Sequence, residues 1–302
     1  MTARALKRLI EASRGERREP LRFGVMFPCS SHSYRLRYWL LSGGIDPNRD
    51  MRILVIPPTQ MAVHLRDGRI DGYCVGEPWN TLAAEDDIGC VLITSYEVWN
   101  NHPEKVFGVT REWARTDPHT HRAILVALLE AARWLDEAAN RAEAARLLSR
   151  PEYVDAPASA LRAGLLDQFR FHPDGHARPL PAFHVFHRYE AAFPCLSHAE
   201  WLIAQMLRWR QLRAPVNITT AADSVYRPDL YREAAVVLGL PCPPSKRKVE
   251  SKHDEHWLLT TAAEAFAMGS DRFFDDGKFE PAEISNYPNR CSMNTSYRLT
   301  NR

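Results

Sequence analysis

Four short apolar runs, each halted by a proline, a glycine or a polar loop, constrain this chain more than any other feature. Leu21-Arg22-Phe23-Gly24-Val25-Met26-Phe27 breaks at Pro28, and Arg52-Ile53-Leu54-Val55-Ile56 is stopped by Pro57-Pro58. Asp71-Gly72-Tyr73-Cys74-Val75 ends at Gly76 and Pro78, and Cys90-Val91-Leu92-Ile93-Thr94 opens into a loop rich in hydrogen-bonding side chains. Runs of this length between such breakers read as strands. Helical stretches lie between them, over residues 33–41, 59–66 and 78–85. Strand alternating with helix over residues 21–110 predicts βαβ units and a mostly parallel sheet, an α/β lobe.

The pattern changes after Val106-Phe107-Gly108-Val109. Residues 118–139 read as one long helix, with Ile124, Leu125, Leu128, Leu129 and Leu135 on its apolar side. Further helices are expected over 141–149, 157–167, 197–210 and 229–238, the last ended by Gly239 and Pro241. This half offers no evident sheet of its own, so its helices must cover one another or a sheet elsewhere. Residues 243–256, charged and proline-rich, read as a mobile connection, and 284–302 fit no pattern and read as disordered. The chain therefore divides into an N-terminal helix and linker (1–20), an α/β ligand-binding lobe (21–110), a helical segment (111–242) and a mobile or irregular C-terminal region (243–302).

Composition excludes several classes. With 302 residues, 45% hydrophobic and 25% charged, the chain is ordinary for a globular protein. A net charge of +2 gives no electrostatic argument for nucleic acid or a membrane surface. No run of eighteen apolar residues exists, so no membrane-spanning helix is expected. The N-terminus reads as a basic amphipathic helix rather than a signal peptide, which implies a cytoplasmic protein; an upstream signal would instead make it periplasmic or membrane-anchored. Cysteines 29, 74, 90, 195, 242 and 291 form no CxxC pair and read as reduced thiols.

Ligands of open α/β sheets sit where strands end and loops begin. Two such places stand out: Cys29-Ser30-Ser31-His32 between a strand and a helix, and Gly76-Glu77-Pro78-Trp79 after the third apolar run. The first has the form of an anion site, because unpaired helix N–H groups and the dipole favour negative charge. It equally has the form of an ordinary capped helix, with Ser30 or Ser31 as the cap. Lys105, in Asn101-His102-Pro103-Glu104-Lys105, supplies a cation, although loop lysines are mostly solvated. Glu77 is placed to cap the helix after it, and Trp79 to pack in a core. His172, His176, His184, His187 and His198 match no zinc spacing, so no metal is expected. No nucleotide-binding, hydrolase or metalloprotease signature appears, which favours binding over chemistry. An enzyme with His32 as base beside Glu77, and Cys29, Ser30 or Ser31 as nucleophile, is the reading from another class.

In order and spacing, Phe27-Pro28-Cys29-Ser30-Ser31-His32-Ser33-Tyr34, Val55-Ile56-Pro57-Pro58-Thr59-Gln60-Met61, Asp71 through Asn80 and Asn101 through Lys105 resemble the nitrate/bicarbonate solute-binding proteins of ABC transporters. The Ser-Ser-His-Ser-Tyr form is most similar to cytoplasmic relatives that sense nitrate or nitrite and hold an RNA-binding antiterminator inactive. The resemblance implies a periplasmic-binding-protein-like (type II) fold with two lobes closing on an anion. Here it implies one parallel-sheet lobe plus a mainly helical C-terminal half. It implies that His32 and Lys105 contact nitrate or nitrite, with Ser31, Gly76, Glu77, Pro78 and Trp79 nearby, and that the chain is not an enzyme and uses no cofactor. The implied partner is an antiterminator protein or, as the alternative, an ABC permease served by a nitrate- or bicarbonate-binding component; no direct nucleic-acid contact is implied. Family members begin with a further lobe of roughly a hundred residues or more. The expectation is therefore a chain lacking that lobe, with residues 111–242 packing against it, and with weak binding or none. A nitrate pocket should be lined by donors alone, whereas bicarbonate needs an acceptor such as Glu77 or Glu104, or a metal ion held by them.

Overall fold

The computed structural model describes residues 2–286, apart from 17–18, 167, 176, 181, 213–215 and 261–263. The first helix, α1 (Arg4–Gly15), precedes the strand β1 (Arg22–Val25), the helix α2 (Ser31–Ser42) and the strand β2 (Arg52–Val55). A short helix α3 (Met61–Arg66), the strand β3 (Gly72–Cys74) and helices α4 (Trp79–Glu85) and α5 (Ser95–Val98) follow. The strands form one parallel sheet in the order β2-β1-β3, with Phe23 opposite both Ile53 and Gly72. The prolines and Gly76 close these strands as expected, because none of those positions extends a ladder.

The fourth expected strand does not form. Residues 90–94 are irregular; Val91 N–H donates to the Phe171 carbonyl, and Cys90 and Leu92 are exposed. The backbone of this run pairs with the segment at Phe171 instead of with β3, so among the described residues the sheet ends at β3.

The helical half runs through α6 (Arg111–Thr116), α7 (Pro118–Asp136), α8 (Ala138–Leu148) and α9 (Ala158–Leu165). A two-stranded antiparallel pair follows, β4 (Gln168–Phe169) with β5 (Arg178–Pro179), and then α10 (Leu196–Arg208), α11 (Ile218–Val225) and α12 (Pro228–Val237). These helices solve their burial problem in two ways. Leu129 of α7 packs with Tyr231, Ala234 and Ala235 of α12, and Ala144 and Ala145 of α8 with Leu161 and Leu165 of α9. Helices α10 and α11 instead join the sheet's own core: Ala199, Trp201, Ile203 and Ala222 cluster with Phe23, Val25 and Trp39. So part of the segment expected to reach toward another lobe covers this lobe's sheet.

The stretch expected to be a mobile connection is tied down. Leu196 N–H donates to the Lys246 carbonyl, and Glu250 and Phe279 exchange backbone hydrogen bonds of 3.0 and 3.2 Å. Glu250 and Ser251 are buried. Beyond it lies an antiparallel hairpin missed in the sequence, β6 (Trp257–Thr260) with β7 (Ala265–Met268). The expected disorder over 284–302 falls, from residue 287 on, outside the described residues. No described helix is long and apolar enough to cross a membrane.

Candidate functional site

Helix α2 carries the first half of the site. Ser30, in an extended conformation, caps it by accepting the Ser33 N–H at 3.1 Å. The cap starts the helix one residue before His32, so His32 and Arg35 fall one turn apart on the same face. Both are buried. They sit beyond the carboxyl end of β1, beside the turn that ends β3: a Cβ added to Gly76 would lie 3.7 Å from His32 Nε2.

The second half is the loop 101–105. Its start is pinned by the C-terminal region, where the Trp99 backbone bridges to Phe273, Asn100 N–H donates to the Arg272 carbonyl and Asn101 Nδ2 donates to the Ser270 carbonyl. Asn101 takes a positive φ of 49°, a conformation asparagine tolerates, and this turns the chain back toward α2.

These pieces meet on the carboxylate of Glu104. Arg35 donates to Oε2 at 2.5 Å, and Ser31 Oγ lies 3.3 Å from the same oxygen. Lys105 Nζ donates to Oε1 at 2.5 Å, with His32 Nε2 at 3.5 Å from it. The other guanidinium nitrogen of Arg35 donates to the Pro103 carbonyl at 3.2 Å, locking the loop to the helix. Burial works against the charge of Glu104, but Arg35, His32 and Lys105 hold its carboxyl well below the usual range. Burial pushes His32 down to about 4, against Glu104 and with the help of Arg35. At neutral pH the imidazole is therefore a neutral donor, and the fixed positive charge comes from Arg35 and Lys105.

A carboxylate is planar, with its charge spread over oxygens that accept in plane. Nitrate and bicarbonate share that shape. Four side chains thus already bracket a planar oxyanion group, and His32, Arg35, Glu104 and Lys105 line a cavity of about 1980 Å³. Small-ligand pockets hold roughly 300–1,000 Å³, so this space is a broad cleft with the cluster on one wall.

The expected residues divide. His32 and Lys105 come together on Glu104, and Ser31 joins them without lining the cleft. Gly76 and Pro78 line it. Glu77 also lines it but is consumed as a cap: its carboxylate accepts from Asn80 Nδ2 at 3.0 Å, Thr81 Oγ1 at 2.7 Å and Thr81 N–H at 3.2 Å. Trp79 packs against the cluster of Ile56, Met61, Ile70 and Val75. The expectation of a pocket made of donors alone is corrected by Glu104 at its centre. Arg35 was missed, although its spacing from Ser31 and His32 puts all three on one helix face.

Acid should destabilise the fold through these imidazoles. Burial lowers His32 to about 4 and His102 to about 3, while unfolded histidine titrates near 6.5. Between those values the unfolded chain binds more protons, so stability falls as pH drops from about 6.5 to 4. Urea midpoints at pH 7 and pH 4.5 check this, and His32→Gln should shrink the difference.

Known proteins resemble this chain in sequence and in fold. Residues 1–149 match the NMT1-like family. The chain is 30% identical to the nitrate/nitrite binding protein NrtA of Nostoc sp. over 283 residues, covering 91% of this chain and 59% of that protein. It is 39% identical over 218 residues to the nitrate import ATP-binding protein NrtC of Synechocystis sp., covering 72% of this chain and 32% of the relative. The bicarbonate transport ATP-binding protein CmpC of Synechococcus elongatus is equally similar, 39% over 224 residues, again 72% of this chain and 32% of the relative. The chain thus spans between a third and three-fifths of the length of these relatives. In structure it matches the crystallised periplasmic nitrate-binding protein NrtA of Synechocystis with a TM-score of 0.83 at 27% identity, over 96% of this chain and 70% of that one.

Proposed function

We propose a function from one premise: this chain belongs to the family of nitrate and bicarbonate solute-binding proteins of ABC transporters. On our reading it binds a small planar oxyanion, nitrate or nitrite, as part of a solute-binding component serving an importer. The observation that carries this is the ring of Ser31, His32, Arg35 and Lys105 around the Glu104 carboxylate. External nitrate takes the place of that carboxylate: Lys105 and Arg35 supply charge, and His32 Nε2 and Ser31 supply neutral donors. The cytoplasmic sensor with an antiterminator partner has no counterpart among the relatives above, which are named for binding or import, so an extracytoplasmic receptor is the better reading.

One observation favours bicarbonate as a second reading. Glu104 is an acceptor among donors, and the bicarbonate hydroxyl can donate to it where nitrate cannot.

Calorimetric titration of the purified chain with nitrate, nitrite and bicarbonate, run into the millimolar range, tests the reading. Lys105→Ala should weaken binding by about ten- to a hundredfold, the worth of one charge-assisted hydrogen bond. Absence of saturable heat with all three anions, or a Lys105→Ala variant that binds as well as the parent, would overturn it.

A further inference from the structure

A second cluster lies apart from the oxyanion ring, at the start of α10. Cys195 is the residue at the N-terminal end of the helix, and His198 stands one turn in. Glu250 reaches them from the C-terminal segment, held in place by its backbone pairing with Phe279. Cys195 and Glu250 are buried and His198 is mostly so. One ligand atom from each of the three lies within 4.8 Å of the other two, and His198 Nε2 is 3.3 Å from Glu250 Oε1.

We propose that Cys195, His198 and Glu250 form a three-ligand site for a zinc-class divalent metal ion. Thiolate, imidazole and carboxylate are the ligands zinc takes, at about 2.3, 2.0–2.1 and 2.0–2.2 Å. Tetrahedral bonds of those lengths put ligand atoms roughly 3.3–3.6 Å apart, so closing this trio takes side-chain shifts of about an ångström. Calcium and magnesium, which want oxygen alone, fit the sulfur and nitrogen poorly.

The surroundings support the ion. His198 Nε2 is shut off from solvent without an aligned hydrogen bond, and its ring is held edge-on to Trp99 with centroids 6.1 Å apart. Lys248 Nζ binds the far oxygen of Glu250 at 2.5 Å and reaches Asp271 at 3.4 Å. Lys248 and Asp271 cancel in charge, and a dication with one thiolate and one carboxylate cancels too. Ser197 donates to Glu250 Oε1 at 2.7 Å, which leaves that oxygen a second lone pair and orients it. The Cys195 thiol has two acceptors in reach, Ser197 Oγ at 3.0 Å and the Lys246 carbonyl at 3.5 Å; its proton leaves to solvent when the metal binds. In sequence the signal is the Cys-x-x-His spacing of Cys195 and His198.

Cobalt(II) titration of the chelator-treated full chain tests the site. The expected result is one equivalent bound, with a thiolate-to-cobalt charge-transfer band in the near ultraviolet that zinc abolishes on addition. Cys195→Ser should lose the band, while a variant that keeps Cys195 alone, carrying Cys29→Ser, Cys74→Ala, Cys90→Ser, Cys242→Ser and Cys291→Ser, retains it. No thiolate band in the parent chain overturns the proposal, as does a band that survives Cys195→Ser or disappears in the Cys195-only variant. If Cys195→Ser does not fold, the Cys195-only variant and the parent decide the matter. Nitrate titration of the cobalt-loaded chain separates this site from the oxyanion ring, since the band should not respond to nitrate.

Discussion

Glu104→Gln is expected to strengthen nitrate binding by about tenfold or more. The glutamate carboxylate occupies the ring that nitrate would enter, so the anion must displace a like charge held by Arg35 and Lys105. Two unit charges 4 Å apart repel by about 4 kcal/mol at the effective dielectric of a protein surface. Glu104 is 36% exposed, and solvent screening takes most of that away. Roughly a third remaining is about 1.4 kcal/mol, a factor of ten. Glutamine keeps the shape and the acceptor oxygen and removes the charge. The same change leaves Arg35, 2% exposed, without a counter-charge. The variant should therefore unfold at lower temperature than the parent in the absence of anion and recover when nitrate is added. Bicarbonate would respond in the opposite sense, because its hydroxyl loses a charged acceptor. Parallel titrations of parent and variant with both anions separate the readings; nitrate affinity unchanged or lowered would remove Glu104 as the occupant of an anion site.

Trp99→Ala should cost about 3–5 kcal/mol of folding stability, the range for truncating a large buried aromatic. Trp99 is 1% exposed and belongs to the core shared by β1, α2 and α10. Its ring stacks on Phe273 with centroids 4.6 Å apart and packs on Trp201 at 5.0 Å. One neighbour comes from the C-terminal segment and the other from α10, so the cavity left behind cannot close by moving one element. Trp99 is also two residues before Asn101, and loosening it should let the 101–105 loop drift from α2. Urea denaturation gives the stability loss, and anion titration under folding conditions gives the loop's share. A loss below about 1 kcal/mol would mean that the aromatic cluster repacks freely.

The sequence carried the local rules of this fold. Pro28, Pro57 and Pro58 cannot continue a ladder or a helix interior, so they marked the ends of β1 and β2 wherever the rest of the chain went. Ser30 announced the start of α2, and with the helix period it fixed that Ser31, His32 and Arg35 share a face. The resemblance then supplied the pairing of His32 with Lys105, which spacing alone does not contain. What the sequence hid was partnership. Residues 90–94 have strand composition, but Val91 N–H pairs with Phe171 instead of with β3. Residues 243–256 look like a solvated linker because they are charged, yet Lys248 and Glu250 are charged in order to meet each other, their pair being 2.5 Å across in a buried setting.

Alone, then, the sequence determined where strands stop, where helices start and which side chains ride on one face, because covalent geometry and helix period act over a few residues. The tertiary structure decided that Glu104, not solvent, fills the ring of donors, that α10 and α11 cover the sheet of their own lobe, and that Cys195 and His198 find Glu250 some fifty residues on. Those outcomes depend on burial and charge pairing between distant segments, and desolvation is settled only when the whole chain has closed around a group.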